Sequence, residues 1–302
     1  MTAPRRDHLD GQALGLLLFC CCFWGFQQVL VKATLPELAP VFQVAVRFIG
    51  ATALLWLWCR WQGIALRGPE NTLLPGVLAG ILFAVEFACL NLGMQYTTAS
   101  RITVFLYTSP FWVALLVPVF VPTERLRPRQ WAGLICAFVA ILFALWDSVS
   151  QSGTEPTWKG DLLGLVAGLC WGLTTVIIRS SQLAVISAER TLMYQIAVSA
   201  LGLPVLSLAL GEPWNFQWSA FATTSIVLQV VVGGFMSYLM WMWLLTRYPA
   251  TKISAFVFLT PLFALLFGSL WLGEPVTAQL LAALALVTLG IVLVNRKAPV
   301  RT

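Results

Sequence analysis

Charged side chains are scarce in this sequence, and their scarcity excludes an ordinary soluble domain. They make up 10% of the 302 residues, whereas hydrophobic residues make up 59% and the mean hydropathy is +0.86. Soluble globular domains contain about 25% charged residues. The composition therefore predicts an all-α polytopic membrane protein surrounded by a lipid bilayer.

Metal ligands in a usable arrangement are missing as well. The one histidine, His8, lies in the N-terminal tail, and the 7 cysteines lie in apolar runs without metal-ligand spacing. A membrane-embedded enzyme needs acids, histidines or metal ligands clustered at one depth, and an ATPase needs a Walker-type motif. The sequence has neither, so we expect no enzymatic activity, no metal and no cofactor.

Runs of basic residues are absent too, despite the net charge of +6. Lysines and arginines that are scattered singly argue against nucleic acid as a partner. If the N-terminus is cytoplasmic, most of the 18 basic residues lie in inner tails and loops, and only Arg101 and Lys159 lie outside. Because lysine and arginine collect on the cytoplasmic side, we expect both termini there.

What the sequence has in abundance is long apolar runs. About 20 apolar residues cross the hydrocarbon core of a bilayer as a helix. Runs of this length predict ten transmembrane helices, at residues 13–33, 40–60, 73–95, 99–121, 130–147, 160–180, 190–210, 222–246, 252–272 and 277–295. The connections between them are too short for a soluble domain.

The fourth and ninth predicted spans share one pattern: a basic residue, then a proline, then a glutamate. The fourth span has Arg101 and Pro110, followed by Glu124 just beyond its end, and the ninth has Lys252 and Pro261, followed by Glu274 just beyond its end. The two basic residues are 151 residues apart, and so are the two prolines. Self-similarity at a nearly fixed separation indicates an internal repeat.

The first and sixth predicted spans repeat as well, since Trp24 and Gly25 recur 147 residues later as Trp171 and Gly172. Each half then holds five spans, and an odd number places the second half in the opposite orientation. Two inverted five-helix repeats are typical of secondary transporters. The predicted segments are a tail at 1–12, a first repeat at 13–147, an outer linker at 148–159, a second repeat at 160–295 and a tail at 296–302.

These motifs resemble the EamA-type transporters of the drug/metabolite transporter superfamily, and among them most of all the bacterial aromatic amino acid and metabolite exporters. The resemblance implies a carrier in a bacterial-type inner (plasma) membrane that works by alternating access. We expect a monomer that exports small-molecule substrates, namely amino acids, with aromatic ones as candidates, and related small metabolites. Its central cavity would lie between the two repeats. A proton-coupled multidrug or other metabolite transporter of the same fold, a channel and a structural membrane subunit stay open as alternatives.

Glu86 is the only carboxylate placed deep within a predicted span. A charge at such a depth costs at least about 2.5 to 3.5 kcal/mol, so an intramembrane acid indicates function by default. We expect Glu86 to face the cavity and to meet a substrate ammonium group or to take up a proton. The alternative is a protonated glutamic acid that is hydrogen-bonded between helices.

Polar and aromatic side chains follow one face of the first and sixth spans at helical spacing. This face predicts paired cavity walls, and aromatic residues in the middle of other spans extend them into an apolar, aromatic-lined site. The candidates are Trp24, Gln27 and Gln28, Trp171, Thr174 and Thr175, and the mid-span aromatics Tyr107, Tyr238 and Trp241. The alternative is plain helix packing.

Pro110 and Pro261 would each remove a hydrogen bond from the middle of a helix. They are therefore candidate hinges, and with Arg101 and Lys252 they form candidate gates. The alternative is a static kink. We expect Glu124 at the membrane interface, where it anchors a helix end.

Lys32, Arg47 and Arg101 lie toward the outer ends of their spans, so we expect their side chains to snorkel to the interface. The alternative is that one of them meets a substrate carboxylate or forms a gate with a helix end. A phosphate-ester carrier would need a cation near the midplane, and the sequence places none there. The spacing of Gly76 with Gly80 and of Gly168 with Gly172 predicts close helix packing.

Overall fold

The computed structural model describes residues 9–66, 70–96, 102, 105–144 and 158–272, together with residues 282, 285, 286, 289, 290 and 293. Several predicted features lie outside the described residues. These are most of both tails and of the linker 148–159, most of the predicted span 277–295, and the residues Arg101 and Glu274.

The described part of the chain is helical and contains no strand, which confirms the all-α prediction for that part. Its helices are α1 (Gly11–Thr34), α2 (Pro40–Trp61), α3 (Leu73–Gly93), α4 (Ser109–Phe120), α5 (Pro128–Ala144), α6 (Trp158–Ser180), α7 (Ala188–Ala209), α8 (Ala220–Arg247), α9 (Ala250–Ser254) and α10 (Leu259–Leu272). Six of them, α1 to α3 and α6 to α8, are long and apolar enough to cross a membrane. They coincide with the first three and the sixth to eighth predicted spans.

Short polar side chains define where the helices begin. Asp10 accepts a hydrogen bond from Ala13 N at 2.9 Å and caps α1, and Ser219 accepts one from Ala222 N at 3.1 Å and caps α8. α2 and α7 each end before a glycine with positive φ, Gly63 at 66° and Gly211 at 71°. Only glycine adopts this left-handed conformation without a steric cost.

The fourth and ninth predicted spans are not continuous helices. A turn at Tyr107 and Thr108 precedes α4, and the 3₁₀ segment Ala255–Phe258 precedes α10. Pro110 is therefore the second residue of a helix and Pro261 the third. Pro110 therefore lies in the first turn of a helix, where no intrahelical hydrogen bond is lost, whereas Pro261 has helical segments on both sides. That the two prolines act as hinges stays a prediction.

The helices pack closely where glycines face a neighbour. A Cβ atom on Gly76 would lie 2.5 Å from Tyr194 of α7, and one on Gly172 would lie 2.5 Å from Cβ of Trp112 in α4. Both distances are too short for any other residue, which confirms that the glycine spacing serves packing. Through these contacts α3 lies against α7 and α6 lies against α4.

Candidate functional site

A cavity lies among α1, α2, α3, α6, α7 and α8. The structure brings all ten residues predicted for such a cavity to its lining: Trp24, Gln27, Gln28, Glu86, Tyr107, Trp171, Thr174, Thr175, Tyr238 and Trp241. The sequence alone did not decide that these side chains line one cavity, because each could instead have packed between helices. That they bind a substrate stays a prediction.

Aromatic rings form one wall of the cavity. The centroid of Trp24 lies 6.1 Å from that of Trp171, 5.6 Å from Tyr238 and 5.5 Å from Trp241. Trp171 also contacts Trp241 at 6.3 Å and Tyr107 at 5.9 Å. These separations are those of favourable aromatic pairs, so the rings hold one another in place and present a rigid apolar surface.

A π-helical stretch in α8, Gln229–Ser237, positions this wall. Trp24 Nε1 donates to Ser237 Oγ at 2.9 Å, and Ser237 Oγ donates to the carbonyl oxygen of Gly233 at 2.7 Å. Gln27 lies directly against Gly233, where a Cβ atom would overlap its Oε1. Stretches of π-helix occur often at functional sites, and here one joins α1 to the helix that carries Tyr238.

Glu86 lies in α3 with only 4% of its surface exposed. Its Oε2 atom is buried and has no hydrogen-bond partner in the described part of the chain. A buried polar atom without a partner carries its full desolvation penalty. The alternative role, a hydrogen bond between helices, is therefore not what this oxygen does here.

Arg47 is the largest departure from the sequence-based expectation. It is the eighth residue of α2, only 1% exposed, and it lines the cavity. Its guanidinium carbon lies 4.7 Å from the ring centroid of Phe87 and 5.0 Å from that of Phe48. The expectation that Arg47 snorkels to the interface is wrong, because these rings hold it inside; Lys32, by contrast, is exposed.

Arg47 also supplies a cation where none was expected. Its Nε and Nη2 atoms are buried without a hydrogen-bond partner, and it forms no ion pair with Glu86. Both side chains line the same cavity. The sequence-based argument against a substrate with an anionic group rested on the absence of a cation in the cavity. With Arg47 in the lining, that argument no longer holds.

A second arginine and glutamate lie beside the cavity and do pair. Arg179, in the last turn of α6, donates through Nη2 to Glu124 Oε1 and through Nη1 to the carbonyl oxygen of Leu245 at 2.7 Å. Glu124 Oε2 accepts from Thr251 N, in the first turn of α9, at 3.4 Å. Leu245 also lines the cavity, so this pair lies next to it.

The position of Glu124 bears on two expectations. Its side chain is 4% exposed, so Glu124 is buried between helices rather than open to solvent, and its depth in the membrane stays a prediction. The predicted role as an anchor of a helix end is confirmed by the bond from Thr251 N. Among the candidate gate residues, Lys252 lies half-buried in α9, whereas Arg101 lies outside the described residues.

Sequence reasoning did not point to Asn91, Gln195 or Arg179 in this region, and it gave Arg47 a role toward a substrate carboxylate only as an alternative. Gln195 is the eighth residue of α7 and lines the cavity with an unpartnered Oε1 atom. The signal for Arg47 was present, because an ionisable residue within an apolar span indicates function whichever its sign. For Arg179 the available signal was the repeat, because it follows Lys32 by the same 147 residues that separate Trp24 from Trp171.

Comparison with known proteins identifies the chain. The model of the EamA-like transporter family matches it twice, at residues 12–146 and 158–296. An uncharacterized transporter of Archaeoglobus fulgidus is 26% identical over 86% of this chain and 89% of its own length. A protein of Salmonella typhimurium named a probable amino-acid metabolite efflux pump is 25% identical over 91% of this chain and 92% of its own.

A solved crystal structure supports the same fold. It superposes with a TM-score of 0.79 at 18% identity and covers 94% of this chain and 96% of that one. Together with the apolar helices, the two family matches make this a multi-pass membrane transporter. The chain belongs to the EamA-like transporter family.

Proposed function

We propose that the protein exports amino acids and related small amphiphilic metabolites across an inner membrane. The single observation that carries this proposal is the buried carboxylate of Glu86, with an unpartnered oxygen, in an aromatic-lined cavity. A carboxylate of this kind suits the ammonium group of an amino acid. The rings of Trp24, Trp171 and Trp241 suit an apolar side chain.

The relative from Salmonella typhimurium supports the substrate class, since its name assigns it amino-acid metabolites. The chemistry of the lining agrees with such a solute: it combines aromatic rings with neutral hydrogen-bonding groups such as Thr174, Thr175 and Gln28. A mixed lining of this kind accepts an amphiphile better than a purely polar or purely apolar molecule does.

Transport by alternating access between two inverted repeats, with both termini cytoplasmic, is the mechanism we propose. Equivalent positions in the two halves support the repeat: Arg47 and Gln195 are each the eighth residue of their helix, and both line the cavity. The helix breaks before Pro110 and Pro261 are also equivalent. We propose these breaks as the hinges, and Arg101 and Lys252 as residues of the two gates.

The test is uptake of labelled amino acids by proteoliposomes that contain the purified protein, with and without a pH gradient. Wild type should show saturable uptake that is accelerated by unlabelled amino acid on the opposite side. That acceleration marks a carrier and not a channel. Glu86→Gln should lose most of this uptake, while Glu189→Gln, which alters a glutamate outside the cavity, should keep it.

Each proposal has its own contradicting result. Absence of uptake for every amino acid would refute the substrate class. Unchanged uptake by Glu86→Gln would refute the role of this carboxylate but leave the exporter in place. Uptake that ignores the pH gradient would exclude proton coupling.

A further inference from the structure

We propose that Arg47 and Glu86 together form a two-point site for the zwitterionic head of an α-amino acid. Arg47 binds the carboxylate of the substrate and Glu86 binds its ammonium group. The inference rests on the proposed function and names the substrate class of the same cavity more narrowly. The two-point site requires that a good substrate carry a positive ammonium group and a negative carboxylate group next to each other.

The first step is the unmet bonding capacity of both side chains. Arg47 is 1% exposed with Nε and Nη2 unpartnered, and Glu86 is 4% exposed with Oε2 unpartnered. Buried charges are retained when partners satisfy them, because leaving one unpaired is strongly unfavourable. Since both side chains line the cavity, a bound ligand is in a position to supply those partners.

The second step concerns the surroundings of the guanidinium group. Phe48 and Phe87, whose ring centroids are 4.9 Å apart, both contact the guanidinium carbon of Arg47. Rings attract the cation but offer no hydrogen-bond acceptor to its N–H groups, so these stay available to a ligand. The edge of a guanidinium group matches the two oxygens of a carboxylate with two parallel hydrogen bonds.

The third step is charge balance. Arg47 and Glu86 are the charged members of the described cavity lining, and the other lining residues are neutral. They do not satisfy each other, because no ion pair joins them. A zwitterion satisfies both at once, whereas an amine leaves Arg47 unpaired and a carboxylic acid leaves Glu86 unpaired.

This arrangement predicts strong discrimination against molecules that lack one of the charges. A site built to bond a polar group rejects an analogue without it, because the group in the protein is left buried and unpaired. Truncating one partner of a buried charge pair weakens binding by roughly 30-fold or more. We expect losses of this size for the amide, for the decarboxylated amine and for the deaminated acid of a transported amino acid.

The experiment is competition in proteoliposomes. A labelled amino acid that wild type transports is challenged with the same amino acid unlabelled, with its amide, with its decarboxylated amine and with its deaminated acid. In wild type only the zwitterion should compete well. In Arg47→Gln the advantage of the amino acid over its amide should fall by roughly 30-fold or more, whereas its advantage over the deaminated acid should persist.

Two further variants keep the result interpretable. Arg129→Gln, which neutralises an exposed arginine, should behave as wild type. Arg47→Lys keeps the charge but loses the bidentate geometry, so its discrimination should lie between wild type and Arg47→Gln. Size-exclusion chromatography shows whether Arg47→Gln folds. If it does not, the test uses Arg47→Lys instead, and binding of the same four compounds is measured by quenching of the cavity tryptophans.

The outcomes separate this inference from the proposed function. If wild type transports no amino acid, the proposed function fails. If wild type transports amino acids but the amide and the amine compete equally well, the two-point site alone is refuted. Unchanged discrimination in Arg47→Gln refutes it as well.

Discussion

The protein holds two pairs of one arginine and one glutamate that are equally well buried and are arranged in opposite ways. In the closed pair, Arg179 bonds Glu124 directly, and the backbone of Leu245 and Thr251 takes up further bonds. In the open pair, Arg47 and Glu86 do not meet. The comparison separates two uses of a buried charge: one pair is completed by the protein, and the other is left for a ligand.

The two pairs also differ in what they connect. The closed pair joins the segment after α4 to α6, α8 and α9, so it ties parts of the chain from both halves. The open pair lies within the first half, on α2 and α3. We therefore expect mutations of the closed pair to appear in stability and mutations of the open pair to appear in recognition.

The largest effect should come from breaking the closed pair. Glu124→Gln leaves the Arg179 charge buried without its counter-ion, which costs about 3 to 5 kcal/mol. The apparent melting temperature in detergent should fall accordingly. Arg179→Met combined with Glu124→Gln should restore much of this loss, because no charge then stays unpaired.

Glu189→Gln, at a half-buried site outside the pair, is the control for that experiment. If Glu124→Gln has the same apparent melting temperature as Glu189→Gln, the closed pair does not have the proposed stabilising role. A double variant that is less stable than the single one would contradict that role as well.

A smaller and opposite effect is expected from the open pair. Glu86→Gln removes a buried charge that the protein does not satisfy, so stability should stay within about 0.5 kcal/mol of wild type or rise. Amino acid binding, followed by tryptophan quenching, should weaken by roughly 30-fold or more. Comparable destabilisation of Glu86→Gln and Glu124→Gln would erase the distinction between the two pairs.

An uncharged hydrogen bond provides a reference for both pairs, with an effect smaller than the loss of stability in Glu124→Gln and the loss of binding in Glu86→Gln. Trp24→Phe keeps an aromatic ring in the cavity wall but removes the bond from Nε1 to Ser237 Oγ. The loss should be about 1 kcal/mol, as for an uncharged buried hydrogen bond. Thermal melting of Trp24→Phe and Glu124→Gln side by side compares the two losses of stability. If the two losses are equal, burial rather than charge determines the cost of breaking a buried bond.

The helices and much of the cavity were predictable from the sequence. Apolar runs reveal long membrane helices because their length is set by bilayer thickness. Helical spacing placed Trp24, Gln27 and Gln28 on one face, and that face does line the cavity. Glu86 stood out because acids are rare in such runs.

What the sequence did not reveal depends on contacts between distant segments. Snorkelling and burial are both open to an arginine like Arg47, and Phe87 on another helix decides between them. Glu124 and Arg179 are 55 residues apart, so no local pattern announces their bond. The turn at Tyr107 and Thr108 was not predicted either, since Pro110 was expected in the middle of a helix.

The π-helical stretch Gln229–Ser237 bears on how the two halves are aligned. A wider turn accommodates one more residue than an α-helical turn, and each residue of an α-helix advances it by about 100°. The separation between equivalent residues grows from 147 at Trp24 and Trp171 to 151 at Pro110 and Pro261. This stretch lies between those points, so part of the growth is absorbed as helix rotation rather than loop length. Deleting one residue there would turn Trp241 out of the cavity wall.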